Sequence, residues 1–128
     1  MVSKPFSSIN KNSDFLYLKE RGIKFWAASW MLVSMDGDYD PSSPKSQIGF
    51  ILSRKVGNAA VRNRIKRWLR QELGEFLKEH PELIVRFSVF IKPMSDDFYK
   101  KMSFLSFKKV LNNGIKFISK KHAPKSVK

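Results

Sequence analysis

One segment in the middle of the chain, from about residue 58 to residue 79, constrains the fold more than any other. Its apolar residues recur at spacings of three and four, which is the pattern of a helix that buries one face. They are Val61, Ile65, Trp68, Leu69, Leu73 and Phe76. At a rise of about 1.5 Å per residue, such a helix is roughly 30 Å long. The segment therefore predicts a long amphipathic helix that needs a second layer to cover its apolar face.

Segments of strand type lie on both sides of this helix. Residues 47–53 (QIGFILS) precede it, and residues 83–92 (LIVRFSVFIK) follow it. The second segment alternates in a way that indicates a strand with one buried face. Residues 24–35 predict one or two further strands, and the loop at residues 36–46 is rich in Pro and Asp. A strand, a loop and a strand over this length predict that residues 24–35 and 47–53 form an antiparallel pair.

Two further helices are predicted nearer the ends of the chain. Asp14 can cap a short helix over residues 14–20, because its carboxylate accepts a hydrogen bond from the first turn. A last helix is expected from about residue 98 to residue 120, and Gly114 should bend or break it, because glycine is a poor helix former. Its inward side chains are predicted to be Met102, Leu105, Val110, Leu111 and Ile115.

This order of elements is typical of an α+β sandwich, in which helices cover a small mixed sheet. The chain has 128 residues, of which 42% are hydrophobic. That length suits one domain with a real core and leaves no room for a second ordinary domain. We expect the domain over residues 13–119, with a flexible arm at residues 1–12 and a basic, disordered tail at residues 120–128.

The chain carries a formal net charge of +14, and many of its cations surround the central helix. Eight Lys and Arg, but no Asp or Glu, lie between Pro41 and Gln71. The net charge exceeds the magnitude of about 2 to 8 that suits a soluble small domain, so a polyanionic partner is indicated, most commonly nucleic acid. Cations at the start of a helix also oppose its dipole, as expected where the helix must bind phosphates.

Composition excludes several other classes of protein. The chain has no Cys, so disulfides, thiolate nucleophiles and thiolate-bound zinc or iron are excluded. Its apolar runs are shorter than the roughly 18 residues that a membrane span requires. Residues 1–12 lack the apolar core of a signal peptide. We therefore expect a cytoplasmic protein with neither a membrane partner nor a small-molecule substrate.

The sharpest motif occupies residues 53–67 and reads SRKVGNAAVRNRIKR. It resembles the bacterial ribonuclease P protein subunit, which carries a Ser-basic-Lys-hydrophobic-Gly-Asn-Ala segment followed by Arg-Asn-Arg and Ile-Lys-Arg. The resemblance implies an αβββαβα two-layer sandwich, with a small mixed four-stranded sheet and a left-handed crossover around the central helix. It also implies a subunit that binds a catalytic RNA and the single-stranded 5′ leader of precursor tRNA. In that family the RNA and its Mg²⁺ ions, not the protein, cleave the substrate.

The resemblance and the charge pattern together indicate the site residues. Contacts with the catalytic RNA are predicted for Arg54, Lys55, Asn58, Arg62, Asn63, Arg64, Lys66, Arg67 and Arg70. The leader cleft, between the first helix and the sheet, is predicted to use Phe15, Lys19 and Trp30, with Trp26 as the alternative aromatic. Asn58 is also a candidate helix cap. We expect no catalytic residue, cofactor or metal site in the protein itself, and Mg²⁺ enters only through the RNA partner.

Three other functions fit parts of this pattern. A ribosomal or general RNA-binding protein without a linked cleavage reaction would share the charge but not the motif. A self-sufficient nuclease would need a metal at Asp36, Asp38 and Asp40, or an acid–base pair of His80 and His122. A DNA-binding regulator would use residues 58–79 as a recognition helix.

Position on the central helix also predicts how substitutions act. Neither Arg62 nor Arg64 lies in the centre of the apolar stripe. We therefore expect that removing both charges weakens RNA binding and leaves the fold intact. Gln47 stands where the resembling family commonly has Arg, so one phosphate contact is expected to be missing.

Overall fold

Five strands and two helices form the part of the chain that the structure describes. This structure is a computed structural model, and it describes residues 6–8, 20, 22–36, 46–80, 85–95 and 97–121. The strands are β1 (Phe6–Ser8), β2 (Ile23–Ala28), β3 (Met31–Asp36), β4 (Ser46–Leu52) and β5 (Arg86–Ile91). The helices are α1 (Ala59–Glu79) and α2 (Phe104–Lys121). A single 3-10 turn, Arg54–Val56, joins β4 to α1.

The strands form one mixed sheet in the order β1-β4-β5-β3-β2. β4 runs parallel to both β1 and β5, whereas β3 is antiparallel to β5 and β2. The expected mixed α+β sandwich is therefore confirmed, with β1 as a fifth, short edge strand. The handedness of the β4–α1–β5 crossover stays a prediction.

The predicted pairing of β3 with β4 is wrong. The two strands do run in opposite directions, but β5 lies between them and pairs with both. Phe87, Val89 and Ile91 of β5 have no exposed surface, and Ser88 on the other face is only 6% exposed. A strand that is buried on both faces belongs in the centre of a sheet. β3 and β4 are therefore not adjacent strands of a hairpin.

Both helices contribute to one hydrophobic core against one face of the sheet. The predicted stripe of α1 is confirmed, because Ile65, Leu69 and Leu73 are fully buried. Trp68 of α1 packs on Phe107 of α2, with ring centroids 5.2 Å apart. Burying a side chain of this size stabilises a fold by about 1.5 to 3 kcal/mol. The core thus holds α1 rigidly and leaves its other face to solvent.

The second helix starts later than the sequence predicts. Residues 97–101 form a turn, and α2 begins at Phe104 after Ser103. Ser103 caps it, because its Oγ accepts a hydrogen bond from the Ser106 amide at 3.1 Å. Leu111 and Ile115 are buried as predicted. The prediction that Leu105 faces inward is wrong, because this side chain is 62% exposed. Met102 precedes the helix and Val110 is partly buried, whereas Phe107 and Ile118 take fully buried positions that the sequence analysis missed.

Gly114 does not break α2, which runs unbroken through it. A β-carbon at this position would lie 3.0 Å from Ala27 Cβ and 3.1 Å from Val33 Cγ2. The absent side chain lets the helix approach β2 and β3 more closely than any other residue would allow. Gly114 is therefore a contact point between the two layers and not a hinge.

The ends of the chain are described only in part. Phe6–Ser8 pair with β4, so these residues differ from the flexible arm expected for residues 1–12. Of the predicted first helix, residues 14–19 lie outside the described residues, and Glu20 is helical. The second helix extends to Lys121, and residues 122–128 of the expected tail lie outside the described residues. Among the described helices, none combines the length and apolar character needed to cross a bilayer.

Candidate nucleic-acid interface

The motif at residues 53–67 folds into a strand-to-helix connection with two caps. Ser53 Oγ accepts a hydrogen bond from the Lys55 amide at 3.3 Å, which orders the 3-10 turn. Asn58 Oδ1 accepts one from the Val61 amide at 2.9 Å, so the predicted helix cap is confirmed. A β-carbon on Gly57 would lie 2.9 Å from Val61 Cγ1. Glycine is therefore required for the tight approach of this turn to the first turn of α1.

A row of exposed polar side chains follows this connection along the outer face of α1. We call it the cationic ridge, and its members are Arg54, Lys55, Asn63, Arg67 and Arg70, all exposed. The first turn of α1 contains no acidic residue. Unpaired amide groups and fixed arginines at a helix N-terminus together attract phosphates. The ridge is rigid, because the opposite face of the same helix is buried in the core.

Arg62 and Lys66, two of the predicted contacts, lie partly within the fold, whereas Arg70 is exposed. Arg62 is half-buried, and its Nε donates a hydrogen bond to the Gly57 carbonyl at 3.0 Å, which leaves its other donors for a ligand. Lys66 is also half-buried on the same flank of the helix. On the ridge itself, the Arg70 guanidinium lies 6.0 Å from the centre of the Phe50 ring. These contacts position the charges without neutralising them.

Arg64 is placed differently from the other arginines of the motif. Its Nη2 donates hydrogen bonds to the carbonyls of Tyr99 and Lys100, on a turn far away in sequence. Its guanidinium also lies 4.9 Å from the centre of the Trp68 ring, and its Nε is buried without a hydrogen-bond partner. These contacts tie Arg64 to the fold, so we now expect its neutralisation to lower the stability. Hydrogen bonds from charged groups contribute about 1.5 to 3 kcal/mol.

The predicted leader cleft is only partly described. Phe15 and Lys19 lie outside the described residues. The assignment of Trp30 is wrong, because this side chain is only 7% exposed. Its ring packs against those of Tyr99 and Phe107, each with a centroid distance of 5.7 Å. A base cannot stack on Trp30 unless the core opens.

Trp26 is the accessible aromatic residue instead. It is 49% exposed and meets Phe90 edge to face, with ring centroids 6.4 Å apart. The neighbouring Phe25 stacks on Phe117 of α2, so Trp26 must lie on the sheet face opposite the helices, since side chains alternate along a strand. Within β2, Lys24 and Trp26 share the face opposite Phe25, and this alternation indicates that Trp26 is exposed. Trp30 lies in the turn after β2, where the alternation gives no such indication.

The C-terminal half of α1 has the opposite electrostatic character. Glu72, Glu75 and Glu79 line a groove of about 660 Å³ between α1 and α2, together with Lys108 and Lys116. Among the described residues, no group of three or more His, Asp or Glu could hold a metal ion. The glutamates of α1 thus lie toward its C-terminal end, and the arginines of the ridge lie toward its N-terminal end.

Two alternative sites cannot be assembled from the described residues. Asp38 and Asp40, of the candidate metal loop, lie outside them, and so does His122. His80 is described, and its Nδ1 lies 2.9 Å from the Phe76 carbonyl oxygen at the end of α1. This contact gives His80 a role in ending the helix, as expected of a group near free carbonyls.

Comparisons with known proteins agree with this geometry. The family model described as Ribonuclease P matches residues 4–120. A protein of Helicobacter acinonychis named "Ribonuclease P protein component" is 30% identical over 120 residues, covering 84% of this chain and 74% of the relative. One of the same name from Bacillus velezensis is 35% identical over 72 residues, which span 56% of this chain and only 60% of the relative.

A solved structure shares the fold. The ribonuclease P protein of Staphylococcus aureus, solved at 2.0 Å, superimposes with a TM-score of 0.66 at 24% identity. The match covers 86% of this chain and 93% of that one. At this identity the likeness is evidence for the fold alone.

Proposed function

Because the chain belongs to the ribonuclease P protein family, we propose that it is the protein subunit of that tRNA-processing endoribonuclease. In this role it binds the catalytic RNA through the cationic ridge and assists removal of the 5′ leader from precursor tRNA. The RNA partner supplies the catalysis and binds the Mg²⁺ ions, and the protein contributes no catalytic residue. The holoenzyme would act in the cytoplasm.

The observation that carries this proposal is the rigid placement of the ridge. Arg67 and Arg70 are exposed on a helix whose other face, at Leu69 and Leu73, has no exposed surface. Fixed cations lose little conformational freedom when they meet phosphates, and each neutralised phosphate releases counterions. A folded RNA with a dense, shaped phosphate surface is the partner that such a ridge fits best.

The sheet face opposite α1 and α2 supports the proposal that the same protein binds the leader. Trp26, Phe90 and Lys24 lie on this face, away from both helices. A single-stranded nucleic acid binds where aromatic rings stack on its bases and cations meet its phosphates. The two proposed surfaces lie on different sides of the molecule, so catalytic RNA and leader would not compete.

Reconstitution tests the proposed function directly. We expect the protein to accelerate 5′ cleavage of precursor tRNA by a bacterial ribonuclease P RNA at Mg²⁺ concentrations where the RNA alone is slow. The reason is that protein cations replace part of the screening that Mg²⁺ otherwise provides. Protein without RNA should leave the substrate intact, and gel analysis of the 5′ products measures both results.

Two outcomes of the reconstitution, and one of a binding competition, would favour the three rival functions. Tight RNA binding with no gain in cleavage would indicate a general RNA-binding protein. Cleavage by the pure protein, lost in the variant D38N/D40N, would indicate a self-sufficient nuclease. A preference for duplex DNA over structured RNA in competition would indicate the DNA-binding regulator.

Trp26 provides a test of leader binding. Replacing Trp26 by Ala should weaken binding of precursor tRNA to the holoenzyme by about 5- to 150-fold, because stacking on one base contributes about 1 to 3 kcal/mol. Binding of mature tRNA, which lacks the leader, should not change. Trp26→Phe is the matched control, since it keeps a ring and should retain most of the affinity. Equal losses for both RNAs would rule out Trp26 as a leader contact.

A further inference from the structure

We propose that Arg64 is a positioning residue and not an RNA contact. It ties the turn at residues 97–101 to α1 and thereby sets where Lys100 lies relative to the cationic ridge. The inference rests on the proposed function, because the surface that it positions is the one that binds the catalytic RNA. The residues of the Arg-Asn-Arg motif then have two roles. Arg62 and Asn63 contact RNA, and Arg64 holds the turn in place.

The contacts of Arg64 all lead away from the ridge. Its Nη2 reaches the carbonyls of two consecutive residues, Tyr99 and Lys100, and its planar group lies over the Trp68 ring. A guanidinium that donates to two carbonyls and stacks on an indole uses the features that distinguish Arg from Lys. By contrast, Arg67 lies exposed nearly one turn further along the same helix.

The turn that Arg64 holds is tight and anchored from its other side as well. The Lys101 amide donates to the Asp97 carbonyl at 3.0 Å, and Asp97 itself adopts a positive φ of 65°. The side chain of Tyr99 is 2% exposed, and its hydroxyl donates a hydrogen bond to the Lys92 carbonyl. Burial raises the pKa of Tyr99, whose hydroxyl is already protonated at physiological pH. The hydrogen bonds from the Arg64 side chain join this anchored turn to α1.

The turn lies beside the N-terminal end of α1, where the ridge begins. A small cleft of about 140 Å³ separates them, lined by Gly57 and Asn58 on one side and by Asp97 and Lys100 on the other. Lys100 and Lys101 are exposed, and so is Asp97 at the start of the turn. The orientation of the turn therefore decides whether a lysine or Asp97 faces the phosphates. Arg64 fixes that orientation through the Lys100 carbonyl.

The test compares Arg64→Gln with Arg67→Gln in the full chain. Both variants lose one charge from the same helix, so they are matched. Binding to a bacterial ribonuclease P RNA is measured over a range of salt concentrations, at a temperature where circular dichroism shows every variant folded. Arg67→Gln should lower the slope of log K against log salt by about 0.7 to 0.9 and leave the melting temperature unchanged. Arg64→Gln should lower the slope no more than Lys100→Gln does, bind several-fold more weakly and melt at a lower temperature.

Two further variants test the mechanism. Arg64→Lys keeps the charge but is shorter and has no planar group to stack on Trp68, so it should resemble Arg64→Gln in affinity and melting temperature. Lys100→Gln should weaken RNA binding in the unaltered protein and have a smaller effect in the Arg64→Gln background, because the two residues act through one turn.

Three results would overturn the inference. A further loss of slope when Arg64→Gln is added to Lys100→Gln would make Arg64 a phosphate contact, and rescue by Arg64→Lys would do the same. Unchanged RNA affinity with a lower melting temperature would limit Arg64 to stabilising the fold. Failure of the proposed function would look different, as weak and salt-insensitive RNA binding by the unaltered protein.

Discussion

Replacing Arg54, Arg67 and Arg70 together by Gln should weaken binding to the catalytic RNA about 100-fold at 0.15 M salt. Each cation that neutralises a phosphate contributes about 0.7 to 0.9 to the slope of log K against log salt, so the slope should fall by about 2 to 3. None of the three side chains belongs to the buried core. The melting temperature should therefore change little. Filter binding over a salt series, with circular dichroism on the same samples, measures both quantities.

A matched triple variant separates the ridge from overall charge. Lys78, Lys108 and Lys109 are exposed cations outside the ridge. Replacing them by Gln also lowers the net charge from +14 to +11, since 14 − 3 = 11. This variant should lose only the small part of the affinity that arises from long-range attraction. Equal losses in the two triple variants would mean that RNA responds to total charge, and the ridge would no longer be the binding surface.

Gly114→Val should cost about 3 kcal/mol of folding free energy, because the new side chain meets the sheet. Even a single β-carbon would lie 3.0 Å from Ala27 Cβ and 3.1 Å from Val33 Cγ2, and Val33 has no exposed surface. Overpacking of a closed core costs about 1 to 3 kcal/mol, and the two extra methyl groups place this change at the upper end. Thermal unfolding should show a fall in melting temperature of roughly 10 °C.

The neighbouring position gives the control for this change. Asn113 is exposed on the same helix, so Asn113→Val introduces the same side chain without a clash. It should alter the stability by less than about 0.5 kcal/mol. Gly114→Ala should fall between the two, because a gain of about 1 kcal/mol in helix propensity offsets part of the overpacking. A Gly114→Val protein as stable as the Asn113→Val protein would show that α2 can move away from β2 and β3 at little cost.

The elements that the sequence analysis predicted correctly are those set by local interactions. The spacing of Ile65, Leu69 and Leu73 determines which face of α1 is buried, and Asn58 caps the helix through an amide only three residues away. Both features depend on residues within one or two helical turns, so the pattern alone contains the information. The motif at residues 53–67 is equally local, which is why its family could be inferred before any fold was described.

The start of α2 shows where local information becomes ambiguous. The sequence analysis starts this helix near residue 98, whereas in the structure it starts after Ser103. The turn at residues 97–101 competes with the helix because Tyr99 gains a buried position and Arg64 supplies hydrogen bonds to the turn. Trp30, which packs on Tyr99, and Arg64, which donates to the carbonyls of the turn, both lie far from it in sequence. The residues near the turn therefore could not decide between the two helix starts.

By itself, the sequence determined the positions of α1 and the main strands, the side of α1 that carries the cations, and the family of the motif. Tertiary structure alone decided that β5 separates β3 from β4, that Trp30 is buried while Trp26 is exposed, and that Arg64 turns away from the ridge. The physical reason is the range of the interactions. Helical periodicity and capping join residues a few positions apart, whereas strand order, burial of one aromatic ring and the partners of a guanidinium depend on segments that meet only in the folded chain.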